Sequence, residues 1–115
     1  MIVEIGEIWL ADFAYADEPN VFKERPVVIA NVEDNRCLCI GLKVTSRQSR
    51  NEYDVELKNW ANAGLKKPSY VQIRYYQEFR FSDLKTKIGK LDLSDEMNIW
   101  HQLYKLPQIE DIFNL

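Results

Sequence analysis

The sequence predicts a mainly β fold with one late helix, bent into a small barrel or sandwich. Three observations carry that prediction. Short segments with period-two apolar alternation recur along the first 90 residues, which is the mark of strands. Glycine, proline, asparagine and aspartate punctuate them at the intervals of turns. Helical spacing of apolar residues is confined to the last quarter. A run of strands followed by a helix has one economical solution, a curled sheet with the helix on it.

Ile2 to Tyr15 reads as a long first strand bending at Gly6. Ala16 to Asn20 is a loop by its turn residues. Pro26 to Val32 is β-branched and almost wholly apolar, as a central strand should be. After a tight turn at Glu33, Asp34 and Asn35, residues Arg36 to Thr45 alternate. Leu38, Ile40, Leu42 and Val44 face the core; Cys37, Cys39, Gly41, Lys43 and Thr45 face away, so the strand is expected to be half-buried. Ser46 to Asn51 is a polar, basic loop, and Glu52 to Leu57 alternates again with Tyr53, Val55 and Leu57 inward. Lys58 to Pro68 is irregular, with a helical turn expected around Trp60. Ser69 to Tyr76 is a strand with Val71, Ile73 and Tyr75 on one face and Tyr70, Gln72, Arg74 and Tyr76 on the other. A short turn at Phe81 to Leu84 and a short strand at Lys87 to Leu91 follow. Ser94 then caps a helix whose first turn carries Asp95 and Glu96; Met97, Trp100, Leu103 and Tyr104 keep helical spacing, and Pro107 ends it. The tail places Ile109, Ile112 and Phe113 to pack on the body or on a second chain.

With 115 residues the chain is expected to be a single domain, 1–115, and its apolar fraction of 46% suffices for one core. No apolar run approaches the length needed to span a bilayer. The first ten residues carry Glu4 and Glu7 and no basic residue, unlike a signal peptide, so a cytoplasmic location is expected. Cys37 and Cys39 are the only cysteines; two apart on one strand they are poorly placed for a bridge, and with one histidine in the chain a zinc site is not expected. The net charge of −3 hides a polarity. Residues 1–22 hold five acids and no base, residues 23–90 hold 14 bases and 8 acids, and residues 91–115 hold five acids and one base. A basic middle between acidic ends can present a local positive face to nucleic acid, although an ordinary solvated surface has the same composition.

Three places supply groups suited to RNA backbone chemistry. Arg25, with Lys23 beside it, precedes the apolar strand. Lys43, Thr45, Ser46 and Arg47 sit where an alternating strand gives way to a basic loop. Tyr70, Gln72, Arg74 and Tyr76 combine aromatic faces with a guanidinium, as a base-stacking platform does. Guanidinium forks match phosphate oxygens, and an attacking 2′-hydroxyl is found only in RNA.

The order of these segments resembles the MazF/PemK toxin family. Gly6–Phe13 (GEIWLADF) is similar to its opening strand, Lys23–Ile29 (KERPVVI) to its Arg-Pro-Val strand start, and Val44-Thr45-Ser46 to its strand-end threonine. Gly64–Val71 (GLKKPSYV) resembles its Leu-Lys-x-Pro-Ser segment, and Lys87–Leu91 followed by Ser94–Met97 its closing strand and helix. The resemblance implies an SH3-like barrel of five to seven strands with a C-terminal helix. It implies a homodimeric toxin of a type II toxin–antitoxin system that cuts single-stranded RNA without metal or other cofactor, leaving a 2′,3′-cyclic phosphate and a 5′-hydroxyl. A cognate antitoxin would inhibit it through an acidic segment. By the same resemblance Arg25 is the catalytic acid or phosphorane stabiliser, Thr45 binds the scissile phosphate, and Arg74 matches an arginine important in part of the family. Lys23, Lys43, Ser46, Arg47, Tyr70, Gln72, Tyr76 and Gln77 are the candidate RNA contacts.

Two departures leave the general base unassigned. Many members have an acid just before the glutamine that Gln77 matches, where this chain has Tyr76. Some place a histidine in the first loop, whereas the only histidine here is His101, read as a helix-surface residue. A gyrase-binding toxin of the related CcdB type, and a family member that binds without cutting, remain as alternatives.

Overall fold

A computed structural model of the chain describes residues 1–14, 20–48 and 51–115. Residues 15–19, which include the end of the expected first strand and most of the first loop, and residues 49–50 of the second loop lie outside that description. Strands β1 (Glu7–Ala14), β2 (Phe22–Glu33), β3 (Leu38–Thr45), β4 (Val55–Glu56), β5 (Tyr70–Arg80) and β6 (Lys87–Lys90) form one antiparallel sheet in the order β4-β5-β3-β2-β1-β6. Helices α1 (Leu93–Leu103) and α2 (Ile109–Phe113) follow. The expected mainly β fold with a C-terminal helix is thus present, with the sheet curled into a half-barrel.

The first strand is shorter than its pattern suggested. Gly6 has φ +90°, a left-handed conformation that ends a turn, and β1 starts at the next residue. The central strands have opposite faces in two separate cores. One core holds Ile8, Val28, Ile40, Leu42, Val44, Val71 and Ile73 under Ile99, Leu103 and Ile112 of the helices. The other holds Val3, Trp9, Phe13, Val27, Ile29, Cys39, Phe79 and Phe81. The expectation that β3 is half-buried therefore fails at its middle. Cys39 is fully buried, and a Cβ on Gly41 would stand 2.9 Å from the Phe79 ring and 3.0 Å from Val27, so the supposed outer face is also covered there. Cys37, in contrast, precedes the strand with φ 53° and is exposed; neither thiol is bridged.

β5 also departs from simple alternation. Leu42 pairs with Tyr76 but the next residue, Lys43, pairs with Gln72, so residues 73–75 bulge out of register. An odd number of extra residues inverts the faces beyond the bulge. Tyr76 turns to the helix-covered core, and the four-residue platform Tyr70, Gln72, Arg74 and Tyr76 is not a single face.

The helix is capped two residues earlier than Ser94. Asp92 is the N-cap, its side chain accepting from the Asp95 backbone N–H at 2.9 Å. Asp95 itself is fully buried and reaches back to the expected turn around Trp60: its carboxylate accepts from the backbone N–H groups of Lys58 (3.0 Å) and Asn59 (2.9 Å). That turn closes the space between the two sheet edges by resting on β6. A Cβ on Gly89 would lie 2.1 Å from the Ala63 carbonyl oxygen, so only glycine permits this approach. The tail packs on its own body. Ile112 is fully buried, Phe113 stacks on Trp100 (5.6 Å between centroids, 1° between planes), and Asn31 Nδ2 donates to the Ile112 carbonyl at 2.8 Å. His101 is exposed on α1, as expected. No helix among the described residues is long and apolar enough to cross a membrane.

Candidate functional site

The face of β3 that is sealed at Cys39 and Gly41 opens at Lys43 and Thr45. Val27 pairs with Lys43, so the register continued by two residues sets Arg25 of β2 across from Thr45 of β3, both on the face opposite the helices. On the other side of β3, Thr45 pairs with Tyr70 and Lys43 with Gln72. The result is an open groove of about 740 Å³. Lys23, Arg25, Lys43, Thr45, Ser46, Arg47 and Gln72 line one side of it, and Gly64, Leu65, Lys66 and Lys67 the other.

The groove is strongly cationic. Among the described residues it carries Lys23, Arg25, Lys43, Arg47, Lys66 and Lys67 against a single acid, Glu24. Glu24 stands directly opposite Asp12 on β1, a like-charge pair that alone would be unfavourable. Lys85 resolves it, its ammonium donating to Asp12 at 2.9 Å and to Glu24 at 3.0 Å. Those two hydrogen bonds raise the pKa of the Lys85 ammonium above its ordinary value and engage Glu24, the one described carboxylate of the groove. No salt bridge to Arg25 forms among the described residues. Lys43 is held below the ordinary lysine range, first by burial and then by the positive charge of Arg25, with Asp54 acting in the opposite sense. Its ammonium lies 5.0 Å from the centroid of the Tyr75 ring.

Thr45 is prepared to donate. Its Oγ1 accepts the Arg47 backbone N–H at 3.2 Å, which uses a lone pair and leaves the hydroxyl proton free for an anion. Guanidinium, hydroxyl and ammonium groups thus line one groove.

Four sequence candidates stand apart from this convergence in role or place. Tyr70 borders Thr45 by register without lining the groove. Arg74 is exposed on the bulge, its guanidinium carbon 5.8 Å from the centroid of the Tyr53 ring. Tyr76 donates its hydroxyl to Asp111 of α2 at 2.9 Å, a bond that raises its phenol pKa. Gln77 ties β5 to β1: its Oε1 accepts from the Ala14 N–H at 3.0 Å and its Nε2 donates to the Asp12 carbonyl at 3.4 Å. The groove residues Lys66 and Lys67 were not among the sequence candidates. The paired charge just before the Pro68-Ser69 strand start was their available signal.

The chain is thus a curled β half-barrel with helices on one face and a cationic groove on the other. Residues 4–106 match the family described as PemK-like, MazF-like toxin of type II toxin-antitoxin system, and the chain belongs to that family. Comparison with curated proteins gives no match. Among solved structures the chain is similar to MazF from Deinococcus radiodurans, with TM-score 0.74, 15% identity and coverage of 91% of this chain and 96% of that one. It is similar to an endoribonuclease in complex with its cognate antitoxin from a mycobacterial species, with TM-score 0.73, 15% identity and 90% and 93% coverage. A third similar structure is the Mycobacterium tuberculosis toxin MazF-mt6, with TM-score 0.62, 24% identity and 93% and 97% coverage.

Proposed function

We propose that this toxin is a metal-independent endoribonuclease that cuts single-stranded RNA by attack of a 2′-hydroxyl on the adjacent phosphorus. The 2′-oxygen forms a bond to phosphorus as its proton passes to solvent water, the bond to the 5′-oxygen breaks, and that oxygen takes up a proton. Arg25 offers its guanidinium to the phosphorane oxygens and is the candidate donor to the 5′-oxygen. Thr45 donates its free hydroxyl to the same phosphate. Lys23, Lys43, Arg47, Lys66 and Lys67 hold the flanking backbone electrostatically. The observation that carries this reading is that Arg25 and Thr45 both line a cationic groove, set across from each other by the continued β2–β3 register, with no salt bridge to Arg25 among the described residues.

The family and the antitoxin complex of a structural neighbour support a cognate antitoxin as partner. An acidic antitoxin segment would be complementary to the six described cations of the groove. Homodimerisation and a cytoplasmic site belong to the same reading. A gyrase-binding role centred on the tail is less well supported, because Ile112 and Phe113 are already engaged by the chain's own body.

The test is cleavage of a long unstructured RNA in EDTA by the wild type and by Arg25→Ala, with folding checked by circular dichroism. Loss of about 10²–10³-fold in rate is expected, the usual cost of removing one oxyanion stabiliser. Full activity in the variant would exclude Arg25 from the chemistry.

A further inference from the structure

We propose that Asp54, Gln72 and Lys43 form a subsite that reads guanine beside the scissile phosphate; this rests on the RNA-cutting reading above. Both carboxylate oxygens of Asp54 and the Oε1 of Gln72 are buried and have no hydrogen-bond partner among the described residues. Buried acceptors left bare are costly, and native proteins keep few of them without a functional reason. The strand register makes them neighbours. Val55 pairs with Val71, so the next residue along, Asp54, falls across from Gln72, and Gln72 pairs with Lys43. The three side chains make one row across β4, β5 and β3, on the face opposite the helix-covered core that takes Val55 and Val71. Gln72 and Lys43 line the groove. Lys43 lies two residues from Thr45, about 6.5–7 Å along the strand, which is roughly the length of one extended nucleotide.

The row presents acceptor, acceptor, donor in that order. The Watson–Crick edge of guanine presents its complement: the N2 amino group, the N1–H and the O6 carbonyl. Uracil presents acceptor, donor, acceptor, which sets a carbonyl against the carboxylate. Cytosine offers one donor beside two acceptors, and adenine one donor beside one acceptor, so neither satisfies all three protein groups. Splayed bases in single-stranded RNA are commonly read on this edge, carboxylates accept from base amino groups and lysine donates to guanine O6. A site whose buried polar groups are satisfied by one base rejects the others because they leave those groups unpaired.

The experiment measures binding of the full chain to short RNAs made uncleavable by 2′-O-methyl groups and differing at one nucleotide, which is guanosine, inosine or adenosine. Inosine lacks only the N2 amino group. The expected order is guanosine over inosine by about 10-fold and over adenosine by about 10- to 100-fold, the scale of one to two charge-assisted hydrogen bonds. Asp54→Asn should bring guanosine and inosine to within about 2-fold while the urea midpoint holds. Should that variant fold poorly, the wild-type comparison of guanosine with inosine still decides. Equal affinity for the three RNAs overturns the guanine subsite alone. Absence of any RNA binding overturns both this and the RNA-cutting reading. A guanosine preference in a protein that fails to cut RNA supports the subsite and removes only the cleavage.

Discussion

Replacing Asp95 by alanine should loosen one wall of the groove from a distance. Asp95 is fully buried at the first turn of α1, and its two carboxylate oxygens accept from the backbone N–H groups of Lys58 and Asn59 at 3.0 and 2.9 Å. Each hydrogen bond to a charged group contributes about 1.5–3 kcal/mol, and the alanine variant would leave two N–H groups without their partner. Some relaxation and water entry will reduce the sum, so a loss of about 3–5 kcal/mol is expected from a total of about 5–15 kcal/mol. The turn thus released begins the segment that rests on Gly89 and continues into Gly64, Leu65, Lys66 and Lys67 of the groove. Urea denaturation followed by tryptophan fluorescence measures the loss. RNA binding below the unfolding transition should weaken in parallel. A loss under about 1 kcal/mol would refute the view that this carboxylate holds the turn.

Other expectations follow from the same structure. Gly89→Ala puts a Cβ 2.1 Å from the Ala63 carbonyl oxygen, so one backbone must move; a cost of about 1–3 kcal/mol in urea unfolding is expected. Glu7 gives the acid limb of the stability profile. Burial pushes its carboxyl up, but the Lys87 ammonium at 2.6 Å, the Glu4 N–H and the Trp9 indole together hold it below the ordinary value of 4.5. A carboxyl depressed in the folded state stabilises fully above its unfolded pKa and loses that contribution as pH falls through the folded one. Wild-type stability should therefore decline below about pH 4.5, and Glu7→Gln should be less stable at neutral pH by about 1–3 kcal/mol with a flatter acid limb. Acid titrations of the two proteins that superimpose would contradict this.

How much of this was legible in the chain depends on the range of the interaction concerned. A continuous apolar run located the middle of β2 and period-two alternation located β3, because both patterns are local properties. Arg25 and Thr45 were singled out through their place in the family pattern, and both line the groove. The β5 platform was not legible: residues 73–75 bulge against β3, and an inverted face leaves no trace in single-strand alternation. The second core was hidden for a similar reason, since Cys39 and Gly41 look like outward residues until Phe79 and Val27 close over them. Asp92 and Ser94 are both good N-caps by type. Asp92 fits because it leaves Asp95 placed to hold Lys58 and Asn59, a contact 36 and 37 residues away in sequence. Asp54 was invisible as a site residue, being a lone acid whose significance lies in the strand across from it.

The central claim is that the groove performs metal-free 2′-hydroxyl attack, and the chemistry of the cut ends tests it most directly. Purified protein should be incubated with a long unstructured RNA in EDTA and both new termini analysed. The expected products carry a 2′,3′-cyclic phosphate and a 5′-hydroxyl, because the attacking oxygen belongs to the RNA itself. A 3′-hydroxyl with a 5′-phosphate, or intact RNA at stoichiometric protein, would contradict the claim.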